Sequence, residues 1–283
     1  MTRTRTRTLI VAAAAVLVLV VVGAIVFVVP NLRSGEDTDT AAPPTSAEPT
    51  PDPGASELNT GATGFGIPDA DLSGRTVMVP NNPAGQPLPQ RDPTGPRTEC
   101  TPDGAPVTSP EGVMIQRNFG LSTLYSETDG PSRFDGLVLA GYSRTPQGAA
   151  LAAANFIPRM YARGPVTVEA GQKLFLFDGS PEANPVFDPV EVEKESAKPV
   201  RTDPEAMRAP MAFRVLSCSD SFAVVELAFI RDVDDNGRRL QQPQYNGLRY
   251  NMAWDDGTWK VRPNERAEFG PYASLDGFTR WAL

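Results

Sequence analysis

The chain contains no histidine, and that absence removes most of the chemistry its other residues could suggest. Gly141-Tyr142-Ser143-Arg144-Thr145 approaches the sharp turn on which a nucleophilic serine is exposed, but the closing glycine is replaced by Thr145. No imidazole exists to take the Ser143 proton, and none of the four lysines stands in a Ser-x-x-Lys pair. Ser143 therefore reads as part of a turn leading into a helix. The same absence excludes Cys-His nucleophiles, the two-histidine zinc helix and imidazole acid-base work near neutral pH. Asp232-Val233-Asp234-Asp235-Asn236-Gly237 opens like a calcium loop, yet the twelfth position, which needs a bidentate glutamate, is Pro243. A polar hairpin turn is the simpler reading. A hydrolase built on two carboxylates needs a defined separation across a cleft, and spacing along the chain does not define one. The expectation is a protein that is not an enzyme, with no catalytic, metal or cofactor-binding residue.

Two other groups invite a role. Cys100 and Cys218 are the chain's two cysteines. Outside the cytoplasm they are expected to form a disulfide closing a loop of about 118 residues, worth ~4–5 kcal/mol in the chain-entropy account. The competing reading is two buried free thiols. Trp254 and Trp259 bracket a hairpin, and with Phe156 they could line a pocket between helix and sheet; packing across the turn is the plainer role for them.

These residues need an architecture to place them. From Leu9 to Val29 the chain runs 21 residues without a charge or strongly polar group. As a helix that stretch would measure ~31 Å, against ~30 Å for the hydrocarbon of a bilayer. Arg3, Arg5 and Arg7 precede it, so residues 1–8 are expected in the cytoplasm and the rest of the chain outside. A cleaved leader would have a shorter apolar region and a small-residue site, and Val26-Phe27-Val28-Val29-Pro30 has neither. Residues 9–29 thus read as an uncleaved single-pass anchor. Residues 30–60 hold five prolines from Pro43 to Pro53 and almost nothing to bury, the composition of a disordered acidic stalk. Residues 61–110 read as an irregular strap with one edge strand near Val77. A net charge of −8 argues against nucleic acid as a partner.

Residues 111–283 read as an α+β domain. Strands are expected near 113–118 and 136–141, then a helix opened by Thr145 as N-cap and Pro146 in its first turn. Ala150, Ala154, Ile157 and Tyr161 share one face, and Pro158 is expected to kink or end the helix near Ile157. The stretch 164–201 lacks a clear pattern, with Glu191, Glu193 and Glu195 read as a solvated edge. Asp203 to Met207 suggests a short capped helix. The C-terminal third shows the strongest β pattern: one hairpin turning at Ser219-Asp220, another at Asp255-Asp256-Gly257. Leu248, Tyr250, Met252 and Trp254 alternate with polar neighbours, so one face is buried. Leu275, Phe278 and Trp281 suggest a last helical turn.

Asn251-Met252-Ala253-Trp254-Asp255-Asp256-Gly257-Thr258-Trp259-Lys260-Val261 resembles the last hairpin of the nuclear-transport-factor-like, or cystatin-like, superfamily. The block from Gly141 to Ala150 resembles one in uncharacterised actinobacterial membrane-anchored proteins, often carried on conjugative elements; the excess of Arg over Lys fits a high-GC genome. Extracytoplasmic domains of conjugal-transfer assembly proteins have a similar layout. The resemblance implies a cone-shaped domain, a helix on a curved antiparallel sheet, acting as an extracytoplasmic interaction module, a structural component of a conjugative transfer or secretion apparatus that meets other envelope proteins. The alternative it leaves open is a small-molecule or cell-wall-ligand binding domain. It carries over no catalytic residue.

Overall fold

The computed structural model describes residues 55–95, 106–177, 185–202, 208–234, 236–263 and 267–283. The expected membrane span, most of the stalk, Cys100 and the helix expected at Asp203 to Met207 lie outside these residues. Among the described residues no helix is long and apolar enough to cross a membrane.

The fold is α+β, with helices packed on an antiparallel sheet. In chain order the elements are α1 (Ala55–Leu58), β1 (Asp69–Ala70), β2 (Thr76–Val77), β3 (Met114–Asn118), β4 (Leu121–Tyr125), β5 (Arg133–Asp135) and β6 (Val138–Ala140). Then come α2 (Pro146–Tyr161), α3 (Gly164–Leu174) and α4 (Pro189–Ser196), and the strands β7 (Ala212–Ser219), β8 (Phe222–Val233), β9 (Arg239–Asp255), β10 (Thr258–Arg262), β11 (Glu268–Tyr272) and β12 (Thr279–Arg280). The large sheet runs β10-β9-β8-β7-β12, and β11 shares an edge of the long strand β9 with β10.

The hairpins follow from turn chemistry. Asp256 and Gly257 both take positive φ (48° and 72°), the two-residue turn whose twist suits a hairpin, and this sets Trp254 directly opposite Trp259. Ser219 pairs with Phe222 across the second expected turn. At the suspected calcium loop, Asp234 takes the Asn236 and Arg238 backbone N–H groups on its own carboxylate, closing a turn between β8 and β9. Pro243 lies within β9.

α2 is the centre of the molecule. Thr145 caps it, accepting from the Gly148 N–H at 3.0 Å, with Pro146 in the first turn. Thirteen of its sixteen residues are buried. Such a helix needs neighbours on every face, and it touches β7 to β10 of the sheet, β4 and α3. Each of Leu151, Phe156 and Ile157, fully enclosed here, contributes on the order of 2 kcal/mol by leaving water. The helix does not stop at Pro158 but runs to Tyr161. The proline forgoes one backbone bond, and the close packing around it outweighs that loss.

Several expectations are corrected. Between residue 111 and α2 there are four strands, not two, in two hairpins. β4 was hidden because all five of its residues are buried, so it shows no alternation. Residues 164–201 contain α3 and α4. The alternating glutamates lie on α4, whose start is fixed by Asp188 capping Val190 and Glu191 ahead of a first-turn Pro189. No residue of α4 is buried, which is why no apolar stripe marks it. The segment from Leu275 to Trp281 is not a helical turn; β12 adds an edge to β7, and Trp281 stacks 4.4 Å from Phe213. The end of the expected stalk is ordered: Leu58 is buried, and Asn59 and Asn82 bond at 2.8 Å.

The strap packs on the domain through specific bonds. Gln116 and Gln86 exchange two hydrogen bonds at 2.7 and 2.8 Å, and Met78 bridges Gln116 in a parallel sense. Arg75 reaches the Ala209 and Pro210 carbonyls at 2.6 and 3.0 Å. Glu111 gathers the Gly95 N–H, the Arg91 guanidinium and Thr94, contacts that hold its carboxyl well down, at about 2. That cluster is at the surface, where water and salt weaken it.

Candidate functional site

The structure brings Phe156 and Trp259 together and leaves Trp254 behind them. Phe156 meets Phe175 edge-on at 4.8 Å and Tyr250 at 5.9 Å. Trp259 is buried and donates from Nε1 to the Ser143 carbonyl at 2.9 Å, tying the turn before α2 to the sheet. That approach needs Gly148, whose Cβ would overlap the Ser143 carbonyl oxygen. Trp254 is only partly buried, edge-on to Trp259 at 5.3 Å, with the Arg144 guanidinium 5.7 Å over its ring. Between helix and sheet, Phe156, Trp259, Met252, Tyr142, Asn155 and Arg159 surround a space of only about 10 Å³. That is the room of a single water.

The polar groups in this interior were not foreseen. Asn155 satisfies both backbone groups of Leu124, at 2.8 and 2.7 Å, and donates to the Tyr142 hydroxyl at 3.0 Å. Asn118 donates to Ala84 O at 2.8 Å and to the Tyr125 hydroxyl at 2.5 Å. Arg159, 1% exposed, donates to Ala84 O at 2.8 Å and lies 5.1 Å over the Phe119 ring. Burial pushes the Tyr125 phenol up to about 12 and Tyr142 higher still, so both keep their protons. Burial likewise pulls the Arg159 guanidinium down, with the phenolic oxygens of Tyr125 and Tyr142 opposing it. The signal in the sequence was an arginine as the one charged residue of an alanine-rich helix.

Ser143 sits in a partly buried brace around the buried Asp129. Its hydroxyl donates to Asp129 at 2.5 Å, and Thr145 donates to the same oxygen at 2.8 Å. Thr128 donates to the other carboxylate oxygen at 2.7 Å. The arrangement fixes the cap of α2. Beside it opens a polar cleft of about 190 Å³ lined by Thr108, Glu111, Thr128, Asp129 and Gln147. Its rim includes Gly95, beyond which residues 96–105 lie outside the described residues. Among the described residues no cluster of Cys, Asp or Glu could hold a metal ion.

On the opposite face of the sheet, Glu226 is fully buried under the C-terminal segment. It accepts from Tyr272 at 2.6 Å, Arg249 at 2.8 Å and Arg214 at 3.0 Å. Burial alone would raise its carboxyl, but these donors win and hold it below the usual range. Arg214 lies over Phe278 at 4.3 Å and Tyr272 at 5.2 Å, and Arg249 over Phe269 at 3.5 Å. Cys218, on β7, is disulfide-bonded; Cys100 is outside the described residues.

No curated protein and no solved structure matches the chain. One family does, over residues 78–280, from the strap's contact with β3 to the last edge strand. The chain belongs to the family described as Domain of unknown function (DUF8175).

Proposed function

We propose that this chain is an extracytoplasmic interaction module, anchored in the cell membrane by residues 9–29 with its N-terminus in the cytoplasm. Its partners are other envelope proteins. The resemblance of the Gly141 to Ala150 block to actinobacterial membrane-anchored proteins, many of them on conjugative elements, points to a component of a conjugative transfer or secretion apparatus. The observation that carries this reading is the filled interior: the space between helix and sheet that a cone fold could offer a ligand is closed by Phe156, Trp259 and Arg159, to about 10 Å³. What the domain offers is its exterior. The strap carries Ile67, ahead of β1, and Leu72, in the β1–β2 turn, 90% and 66% exposed, while few other large apolar groups among the described residues are exposed.

Photo-crosslinking on intact cells tests it. With the crosslinking residue at position 72, discrete adducts with envelope proteins are expected; at position 153, whose alanine is buried, none. A chain that yields no adduct from any exposed position, or that purifies with a bound small molecule, would overturn the reading.

A further inference from the structure

We propose that the interior beside Arg159 binds one monatomic anion, a halide, between α2 and the sheet. The site is independent of what the exterior of the domain docks.

The guanidinium is enclosed, 1% exposed. Nη2 has Ala84 O, but among the described residues no protein atom accepts from Nε or Nη1. The carboxylate with the clearest electrostatic influence on it, Glu169, is already held by Lys173 at 2.6 Å and by the Leu137 N–H at 3.0 Å. An arginine does not shed its proton, so the charge stays in the interior. A buried cation without a counter-charge is the costliest polar arrangement a fold can hold.

The Tyr125 oxygen interacts favourably with the guanidinium but brings no charge to balance it, and the hydroxyls around Arg159 keep donors to spare. The Tyr142 hydroxyl accepts from Asn155 and the Tyr125 hydroxyl accepts from Asn118, so each has its own proton to give. Their raised pKa values keep those protons in place. Against these stands one unpaired acceptor, Asn118 Oδ1. Arg159, Tyr142 and Asn155 all line the same space of about 10 Å³. A compact anion supplies both what the N–H and O–H groups lack and the missing charge. A water supplies only the first, and an oxyanion such as sulfate is too large. The strap closes the far side: Gly85, at φ +112°, lets the backbone pass where any Cβ would overlap the Tyr125 hydroxyl and Asn118.

The test uses the full chain in detergent, dialysed free of halide. Its melting temperature is followed on titration with sodium chloride, sodium bromide or sodium gluconate at constant ionic strength. Chloride and bromide are expected to raise it saturably and gluconate to leave it unchanged. Tyr142→Phe, one donor short, should need about tenfold more halide for the same shift, equivalent to about 1.4 kcal/mol. Arg159→Met should lose the response; if it fails to fold, Tyr142→Phe and a bromide-soaked crystal decide. That crystal should show an anomalous bromine peak against the Arg159 guanidinium. An equal response to gluconate, a Tyr142→Phe titration that follows the unmodified chain, or a water alone beside Arg159 would each overturn the proposal.

Discussion

Glu226 shows how one residue can be buried, charged and stable together. Arg249, Arg214 and Tyr272 direct their hydrogens at its two oxygens, and Phe278, Tyr272 and Phe269 cover the two guanidiniums. The side chains of Arg214 and Arg249 remain 28% exposed, so water moderates the loss if the carboxylate is removed. Glu226→Gln is expected to cost about 2 kcal/mol, less than the roughly 3–5 kcal/mol for breaking a fully buried pair because water reaches both arginines. The pH dependence has a definite sign. A carboxyl held low in the folded state contributes fully above its unfolded value, ~4.3, and that contribution fades as pH falls through the folded value. Chemical denaturation from pH 7 down should therefore show the unmodified chain losing its advantage over Glu226→Gln below about pH 4. A constant gap at every pH would contradict the ion-pair account. Neither Glu226 nor Arg159 was legible as a site in the sequence. Each is a lone charge in an apolar run, and what makes it special is the cover brought by distant segments: 268–280 for one, 84–85 for the other.

At the level of elements, what was legible depended on local chemistry. The Trp254 to Trp259 hairpin and the α2 cap were readable because turn and cap residues act over a few positions. β4, α3 and α4 were not, for opposite reasons: β4 is buried on both faces, α4 on neither, and α3 begins at a glycine behind Arg163 with no side-chain cap. Gly148 tests how α2 is placed. Within an exposed helix, alanine would be favoured over glycine by roughly 1 kcal/mol. Here the added Cβ meets the Ser143 backbone carbonyl, which a rigid turn cannot move cheaply, and overpacking costs about 1–3 kcal/mol. Gly148→Ala is expected to be net destabilising and to alter the environment of Trp259, whose Nε1 bonds that carbonyl. Thermal melts followed by tryptophan fluorescence check both. A stabilised variant with unchanged fluorescence would mean the turn is not pinned as described.

Over the whole molecule, α2 is held between the sheet and the β3–β4 hairpin, with the strap closing over the latter. The expected bond between Cys100 and Cys218 would fasten the strap to the sheet. With Cys218 disulfide-bonded, denatured but unreduced protein should show no free thiol, and reduction should lower stability by roughly 4 kcal/mol. Two titratable thiols would show that the strap is held by its hydrogen bonds alone. An oxidising compartment favours the bridge, so its presence also bears on where the domain sits.

The orientation of the chain is the claim on which the proposed function rests, and protease added to intact cells measures it most directly. With residues 9–29 spanning the membrane and 1–8 inside, a C-terminal epitope should be removed from unbroken cells while a cytoplasmic control protein survives. An epitope that stays intact until the cells are lysed, or a secreted product beginning just after residue 30, would contradict the account.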